Sequence, residues 1–265
     1  MERIKQALDK AREDRQKAAF GEVAGSGAEA SKSSLPFEYT QTRRVESSQH
    51  LMRENRLVNA MEQGEYTDAL KILSTQVLQR MKENHWNTIA VTSPRRAEGK
   101  TTIAINLGIS IAKEVEYTVL LVDANLRHPN IHDYFGIGQE HGLSDYLTGK
   151  VGLSDILINP KGLDHFVILP AGRPQQNSSE LLGSPRMCSL VEELTNRYAK
   201  RVIIFDMPPV LETADTLAFV PCVDTALVVV EDDVTKEGDL KSAIDVLSVT
   251  NVIGTVLNKA MYYQT

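Results

Sequence analysis

The stretch TSPRRAEGKTT, residues 92–102, lies between a short apolar run, TIAVT (88–92), and a longer apolar stretch over 100–113. The longer stretch alternates its apolar residues, which fits a strand, but its length and its place after the loop favour a helix. The backbone N–H groups that begin a helix are unsatisfied, and the helix dipole favours anions there. A strand, a loop and a helix in this order therefore predict a phosphate-binding loop over 92–102.

Three residues at the end of this loop have the chemistry that phosphate binding needs. Gly99 allows close approach of the backbone, Lys100 has the length to reach the β- and γ-phosphates, and the Thr101 hydroxyl is suited to ligate Mg²⁺. The spacing departs from the general P-loop pattern, because Pro94 stands where a glycine is usual. The triplet Gly-Lys-Thr alone is a weak signal, and the strand and helix around it make it a strong one.

Further short apolar runs follow along the chain. They are rich in β-branched residues and nearly continuous, which is typical of strands buried on both faces of a parallel sheet. Segments such as 185–198 and 238–249 are long enough to be crossover helices. The sequence therefore predicts an α/β fold of the P-loop NTPase type, a doubly wound, mostly parallel sheet with helices on both faces. The predicted strands are TVLLV (118–122), FVIL (166–169), VIIF (202–205), TALVVV (225–230) and VIGTVL (252–257).

Composition narrows the class of protein. The 265 residues are 42% hydrophobic and carry a formal net charge of −6, so a sizeable core is expected and a general role in binding nucleic acid is disfavoured. The two cysteines, Cys188 and Cys222, have no metal-binding spacing and indicate neither a zinc site nor a disulfide framework. No apolar run approaches the ~18 residues that span a bilayer, and the charged N-terminus lacks a signal-peptide core. A cytoplasmic protein is expected.

Three regions are predicted along the chain. Residues 1–56 form a short polar helix and then a flexible linker, which shows no periodicity and is rich in Gly, Ser, Glu and Arg. Residues 57–259 form the P-loop domain, and residues 260–265 form a short tail that contains two tyrosines.

Two of the predicted strands end in an aspartate. Asp123 closes the run 118–122 and is followed by Arg127, and Asp206 closes the run 202–205. In open α/β sheets, ligands bind outside the carboxyl ends of the strands, so both carboxylates are expected beside the phosphate-binding loop. Because Mg²⁺ prefers oxygen ligands, the carboxylates and the loop together predict a site for Mg²⁺ and a nucleotide.

The three segments resemble the Walker A, Walker A′ and Walker B motifs of the bacterial tyrosine kinases, which are relatives of the deviant-Walker P-loop ATPases. The similarity continues through GLSDYLTGK (142–150), ILPAGRPQQNSSELLGSPRM (168–187) and DMPPVLETADTLAFVPCVDTALVVV (206–230), and it covers about residues 66–259. The leader MERIKQALDKARE also resembles that of kinases encoded in exopolysaccharide loci. The resemblance implies an ATP-dependent protein-tyrosine autokinase that regulates exopolysaccharide or capsule biosynthesis and export.

The same resemblance implies roles for individual residues. The ATP phosphates are expected on Lys100 and on the backbone of 98–102, and Asn258 is expected at the adenine, with a plain turn residue as the alternative. Asp123 is the expected base for the tyrosine hydroxyl. The implied catalytic residues are Lys100, Asp123 and Arg127; the implied cofactor-binding residues are Glu98, Gly99, Lys100, Thr101, Thr102 and Asn258; the implied Mg²⁺ ligands are Thr101, Asp123 and Asp206.

Acceptor tyrosines and partners are implied in the same way. The family clusters its acceptors at a flexible C-terminus, so Tyr262 and Tyr263 are the expected phosphoacceptors, with a chance pair on a frayed end as the alternative. A membrane-spanning activator of the polysaccharide co-polymerase type is the implied partner. It would hold the cytoplasmic chain at the inner membrane, and assembly into a homo-oligomer is left open.

Several positions depart from the family pattern. Arg96 and Ala97 stand where the family has Pro-Gly before Glu98, and a lost glycine narrows the freedom of the backbone. The added arginines, Arg95 and Arg96, either bring charge to the phosphates or face solvent. Asn125 replaces the second acid of the family's Asp-x-Asp-x-Arg motif, and asparagine carries no charge and cannot act as a base.

A helix motif also differs, since the Glu-x-x-Arg-x-x-Arg that the family links to ring assembly is here Asp68, Lys71 and Ser74. Lysine does not replace the bidentate contacts of arginine, and serine replaces neither. These departures leave two other functions open. One is a nucleotide-binding pseudokinase that acts as a scaffold of the polysaccharide export machinery, and the other is a positioning ATPase of the same superfamily.

Overall fold

The computed structural model describes residues 42–58, 61, 63–114, 116–138, 141–196 and 200–260. The predicted polar helix near the N-terminus, most of the predicted linker, and the tail residues Tyr262 and Tyr263 lie outside this part of the chain. The described residues all belong to the unit that spans 40–265.

Within the described residues, eight strands form one sheet. In chain order they are β1 (Arg43–Val45), β2 (Thr88–Thr92), β3 (Thr118–Asp123), β4 (Ile158–Pro160), β5 (Phe166–Leu169), β6 (Arg201–Asp206), β7 (Thr225–Glu231) and β8 (Asn251–Asn258). Their spatial order is β1-β4-β5-β3-β6-β2-β7-β8, and all neighbours are parallel except the pair β4 and β5. The order places β3, β6 and β2 side by side at the centre. The three predicted motifs therefore lie together at the carboxyl ends of these strands.

Ten α-helices lie between the strands in the described part of the chain. None of them is both long and apolar enough to cross a lipid bilayer. Together with the parallel sheet they confirm the predicted α/β fold of the P-loop NTPase type. The helices are α1 (Gln49–Glu54), α2 (Glu65–Glu83), α3 (Lys100–Ala112), α4 (Ile131–Phe135), α5 (Leu143–Leu147), α6 (Leu153–Ile156), α7 (Ser178–Leu182), α8 (Pro185–Asn196), α9 (Asp215–Phe219) and α10 (Glu237–Val246).

The central strands are buried along their whole length, which is why their sequences are continuously apolar. Helix α3 forms from the stretch after the loop, where alternating apolar residues fitted a strand as well as a helix. It packs against strands of the sheet and against helix α2, and it is buried around almost its whole circumference. A helix enclosed in this way needs apolar residues on every face, so its isoleucines could alternate without forming a strand.

The prediction of a flexible linker that extends to residue 56 is wrong for the C-terminal part of that segment. Residues of β1 pair in parallel with β4, Arg43 opposite Ile158, and α1 follows directly. The side chain of Ser48 caps α1 by accepting a hydrogen bond from the Leu51 N–H at 3.3 Å. Because Met52 is buried, α1 is part of the fold rather than a tether. A three-residue strand and a six-residue helix are too short to show a periodicity in the sequence.

A single buried asparagine attaches the segment after α1 to the helix that begins at the phosphate-binding loop. The side-chain oxygen of Asn106, in α3, accepts a hydrogen bond from the Val58 N–H at 2.7 Å. Its amide group donates to the Arg56 carbonyl at 3.2 Å and to the Tyr66 hydroxyl at 3.1 Å. These hydrogen bonds therefore hold Arg56, Val58 and Tyr66 on α3.

The two cysteines correct another expectation, because Cys188 and Cys222 form a disulfide with a Cα–Cα distance of 5.3 Å. The bond links α8 to the 3₁₀ turn Val220–Cys222 that follows α9. The two residues are 34 positions apart in the sequence, and no local spacing indicated their pairing. Packing of α8 beside the turn after α9 brings them together.

Candidate nucleotide-binding site

The loop from β2 to α3 keeps two residues in the left-handed backbone region. Gly99 has φ +91°, and a Cβ atom placed on it would lie 2.0 Å from Nδ2 of Asn258, so only glycine fits there. Ala97 has φ +64° although it carries a side chain. A non-glycine residue in this region costs roughly 1–2 kcal/mol. The loop therefore keeps a glycine-like shape where the family glycine is missing.

Glu98 holds this loop from the inside. Its side chain is 2% exposed, and its carboxylate accepts hydrogen bonds from the Arg95 N–H at 2.7 Å and from the Thr235 hydroxyl at 2.5 Å. Its backbone carbonyl accepts a third from the Asn258 amide at 2.9 Å. The side chains of Glu98 and Asn258, both predicted to contact a nucleotide, thus shape the loop by binding its own backbone.

The three residues that begin α3 point in different directions. Lys100 is half-buried and lines a cavity of about 160 Å³ at the end of the loop. The Thr101 hydroxyl donates to Oδ2 of Asp206 at 2.7 Å. The Thr102 hydroxyl instead shares a hydrogen bond of 3.0 Å with the hydroxyl of Tyr134. Lys100 and Thr101 therefore face the predicted phosphate and metal positions, and Thr102 faces a neighbouring helix.

Asp123 and Asp206 lie directly opposite each other at the ends of β3 and β6, and both are buried. Burial, together with the neighbouring Asp206 carboxyl, raises the pKa of Asp123 to about 7. Backbone N–H groups of Asn125, Asn130 and Ile131 act in the other direction, at 3.1–3.2 Å from its carboxylate. Burial also raises the pKa of Asp206, opposed by Lys100 and by the Thr101 hydrogen bond.

This pair of acids fits a divalent cation. Two adjacent buried carboxylates repel each other when both are ionised, and a bound cation removes that repulsion. Oδ1 of Asp206 is buried and has no hydrogen-bond partner. The described residues hold no cluster of three or more His, Cys, Asp or Glu side chains that could enclose a metal by themselves. The donor set therefore suits Mg²⁺, which keeps several waters and takes further oxygens from phosphate.

Arg127 is held at the rim of the same cavity by side chains that the sequence did not single out. Its Nε atom lies 3.3 Å from Oδ1 of Asp215, a fully buried carboxylate at the start of α9. The Ser179 hydroxyl donates to the same oxygen at 2.5 Å. These contacts fix the direction of the guanidinium group, as expected for a bridge between a half-exposed cation and a buried acid.

Asn125 lines this cavity, and its side-chain oxygen takes part in a turn. Its backbone N–H donates to Oδ1 of Asp123 at 3.2 Å, and its side-chain oxygen accepts from the His128 N–H at 3.4 Å. The residue is 5% exposed. It therefore shapes the connection after β3, in the place where the family pattern has a second acid.

The two added arginines are each paired with an acid. Nε and Nη2 of Arg95 donate to the carboxylate of Asp239, in α10, at 3.2 and 3.1 Å. The backbone N–H and Nε of Arg96 donate to the two oxygens of Glu212 at 3.1 and 2.7 Å. Neither acid was predicted as part of the site.

Two other cavities differ in their relation to this site. One of about 640 Å³ lies on the other side of Gly99, and its walls include Tyr66, Leu73 and Asn258. Another cavity, of about 400 Å³ and with Trp86 in its wall, lies at the amino-terminal ends of the strands, away from the aspartates. Of these two, the first is continuous with the phosphate-binding loop, and it is large enough for a planar ring.

Comparison with known proteins agrees with this arrangement. No protein-family model matches the chain. The putative tyrosine-protein kinase CapB of Staphylococcus aureus is 28% identical over 179 residues, which are 67% of this chain and 77% of CapB. The putative tyrosine-protein kinase EpsB of Ralstonia solanacearum is 31% identical over 185 residues, which are 70% of this chain. The matched part is 24% of EpsB, so this chain spans about a quarter of that relative.

Solved structures show the same relation. The kinase domain of the Escherichia coli tyrosine kinase ETK has a TM-score of 0.67 and 29% sequence identity with this chain. The match covers 75% of this chain and 78% of that domain. The likeness therefore extends over most of the described sheet and helices.

Proposed function

Because the chain belongs to the bacterial tyrosine kinase family of P-loop proteins, we propose that it is an ATP-dependent protein-tyrosine autokinase that regulates exopolysaccharide or capsule biosynthesis and export. The observation that carries the proposal is the cluster of Thr101, Asp123 and Asp206 beneath the loop. A hydroxyl and two buried carboxylates meet there, beside a lysine at the start of a helix. Phosphoryl transfer needs the reacting groups to be positioned and their negative charge to be neutralised, and this set of side chains suits both needs.

The phosphates of ATP would lie on the backbone of 98–102 and on Lys100, at the N-terminus of α3. Thr101, Asp123 and Asp206 would hold Mg²⁺, directly or through water. Mg²⁺ held by these residues would supply positive charge against the phosphates. The cavity of about 640 Å³ beside Gly99 would take the adenine, with Asn258 in its wall.

Two side chains would act on the transferred group. Asp123 is the proposed base for the hydroxyl of the acceptor tyrosine, because its carboxylate lies at the end of β3 beside the proposed phosphate positions. Arg127, oriented by Asp215, would bring positive charge to the same cavity. The proposed acceptors are Tyr262 and Tyr263 in the tail.

A membrane-spanning activator is the proposed partner, and the chain would lie at the cytoplasmic side of the inner membrane through that partner. The described residues supply no membrane-crossing helix of their own, which is consistent with a need for such a partner. Self-association of the chain is a further part of the proposal.

One observation favours a second candidate, a nucleotide-binding pseudokinase that serves as a scaffold. The side-chain oxygen of Asn125 accepts a hydrogen bond within the turn after β3, and the residue places no second negative charge beside the proposed Mg²⁺ position. The loop itself gives less support to this candidate, because Ala97 keeps the left-handed backbone that a glycine would have.

Incubation of the full chain with Mg²⁺ and ATP, with and without an activator fragment, tests the proposal by immunodetection of phosphotyrosine. We expect phosphotyrosine that disappears in Lys100→Met and persists in Lys241→Met, an exposed lysine of α10. Stabilisation by nucleotide without any phosphotyrosine would instead support the scaffold. The double variant Tyr262→Phe/Tyr263→Phe should lose most of the signal if the tail carries the acceptors.

A further inference from the structure

The cavity of about 160 Å³ at the end of the loop is lined by three cations, Arg96, Lys100 and Arg127. Carboxylates are absent from its lining among the described residues. Thr213 also lines it, and the hydroxyl of Thr213 is buried without a hydrogen-bond partner. Three positive groups and an unused hydroxyl around one small cavity favour an anionic ligand with several acceptor oxygens.

The position of this cavity indicates which part of a nucleotide would enter it. Its walls come from the loops that follow the two strand-end aspartates, through Asn125 after β3 and Pro208 after β6. The proposed Mg²⁺ ligands therefore lie on the cavity side of the loop. Because Lys100, the lysine suited to reach the β- and γ-phosphates, also lines the cavity, the cavity lies where the terminal phosphate would be.

Arg96 lines this cavity, and its guanidinium group is paired with an acid. Glu212 accepts hydrogen bonds from both its backbone N–H and its Nε atom. The side chains of the two residues are 59% and 24% exposed. Ion pairs this open to solvent contribute little to stability, so the guanidinium can exchange its partner at small cost.

Arg95, the neighbouring residue, has a different setting. Asp239 binds its guanidinium through two hydrogen bonds on the side of α10, and Arg95 does not line the cavity. The two arginines have the same charge and adjacent positions in the chain. Of these two adjacent arginines only Arg96 lines the cavity, so Arg95 serves as a control for it.

We propose that Arg96 binds the terminal phosphate of a nucleoside triphosphate and thereby makes the site selective for triphosphate over diphosphate, an inference that rests on the proposed function. Without a triphosphate, Glu212 neutralises the guanidinium. A terminal phosphate carries more charge than a carboxylate and is bound at the same time by Lys100, so it displaces Glu212 from the Nε atom. A diphosphate lacks that group and leaves the pair with Glu212 intact.

Isothermal titration of the full chain with Mg²⁺-AMP-PNP and with Mg²⁺-ADP tests this inference. In Arg96→Ala we expect affinity for AMP-PNP to fall about tenfold or more, the size of one lost charge-assisted hydrogen bond, while affinity for ADP changes less than about twofold. Arg96→Lys should recover part of the loss, because it keeps the charge without the planar fork. Arg95→Ala should bind both nucleotides like the unmodified chain.

Glu212→Gln provides an independent test with the opposite sign. It removes the competing charge, so affinity for AMP-PNP should rise while affinity for ADP stays unchanged. Equal loss of both nucleotides in Arg96→Ala, or no loss of either, would overturn the inference while leaving the proposed function intact. If the unmodified chain binds neither nucleotide, the proposed function fails and this inference fails with it.

Discussion

The hydroxyl of Thr101 donates a 2.7 Å hydrogen bond to Oδ2 of Asp206, and both side chains are buried. The bond joins the first turn of α3, which follows the phosphate-binding loop, to the end of β6. Oδ1 of the same aspartate is buried and unpartnered. The carboxylate thus has one oxygen that positions the loop and one that is left for a ligand.

Asp206→Asn should affect the free and the nucleotide-bound protein in opposite directions. Without ligand, it removes a charge that faces Asp123 in a buried setting, so the melting temperature should rise. With Mg²⁺-ADP, the loss of a charged metal ligand should reduce the affinity by about tenfold to a hundredfold. Thermal unfolding with and without Mg²⁺-ADP measures both effects.

The control for this variant is Asp164→Asn, whose side chain is 79% exposed and which should change neither quantity. A lower melting temperature of the ligand-free Asp206→Asn protein, with unchanged stabilisation by Mg²⁺-ADP, would show that the carboxylate is structural.

Stability of the metal-free protein should depend on pH through Asp123. Its pKa is raised to about 7 in the folded protein, whereas an unfolded aspartate releases its proton near pH ~4. Between these values the folded state binds more protons, so the free energy of unfolding falls as pH rises. Mg²⁺ needs ionised carboxylates, and its stabilising effect should therefore grow over the same range.

Urea unfolding at several pH values between about 5 and 8, with and without Mg²⁺-ADP, checks this pH dependence. Asp123→Asn should flatten the pH dependence of the metal-free protein and remove the growing effect of Mg²⁺. A metal-free protein that becomes more stable from about pH 5 to 7 would contradict the raised pKa.

Two positions in the loop should respond to substitution in opposite ways. Ala97→Gly should stabilise the protein by about 1 kcal/mol, because glycine adopts the left-handed backbone without steric cost. Gly99→Ala should destabilise it by roughly 2 kcal/mol or more, because the new Cβ meets the Asn258 amide. Denaturant unfolding of both variants gives the free energies.

Gly238→Ala is a useful comparison for the loop variants. Gly238 lies in α10, and a Cβ atom placed on it would meet no other atom within 4 Å, so the variant should gain slightly from helix propensity. If Ala97→Gly lost stability, the left-handed conformation of that residue would be the wrong explanation for its tolerance.

The central sheet was predictable because strands that are buried on both faces have nearly continuous apolar sequences. Strands β2 and β5 were predicted with their observed ends, and β3, β6, β7 and β8 were each within one residue at either end. Asp123 and Asp206 were expected side by side because parallel strands end at one edge, and they are. The kinase resemblance rested on these same motifs, and the comparisons confirm it.

What could not be predicted depends on contacts between distant parts of the chain. The pairing of Arg96 with Glu212 joins residues 116 positions apart, and the bond between Cys188 and Cys222 depends on how α8 packs beside the 3₁₀ turn after α9. The assignment of residues 43–56 to a linker failed for the same reason. Their order comes from pairing of β1 with β4 and burial of Met52, and Asn106 adds hydrogen bonds to Arg56 and Val58 that carry no local sequence signal.

Asn106→Ala should release the segment after α1 without unfolding the sheet. The substitution leaves the buried Val58 N–H without its acceptor and removes both donors to Arg56 and Tyr66, which should cost about 1–3 kcal/mol locally. Hydrogen exchange followed by mass spectrometry should show faster exchange in peptides covering 49–58 and unchanged exchange in β6. Asn84→Ala, which removes one exposed hydrogen bond at the end of α2, is the control and should change neither. Equal acceleration in both regions would mean that Asn106 stabilises the whole domain, whereas selective acceleration would make residues 49–58 a separately released element docked on the helix of the phosphate-binding loop.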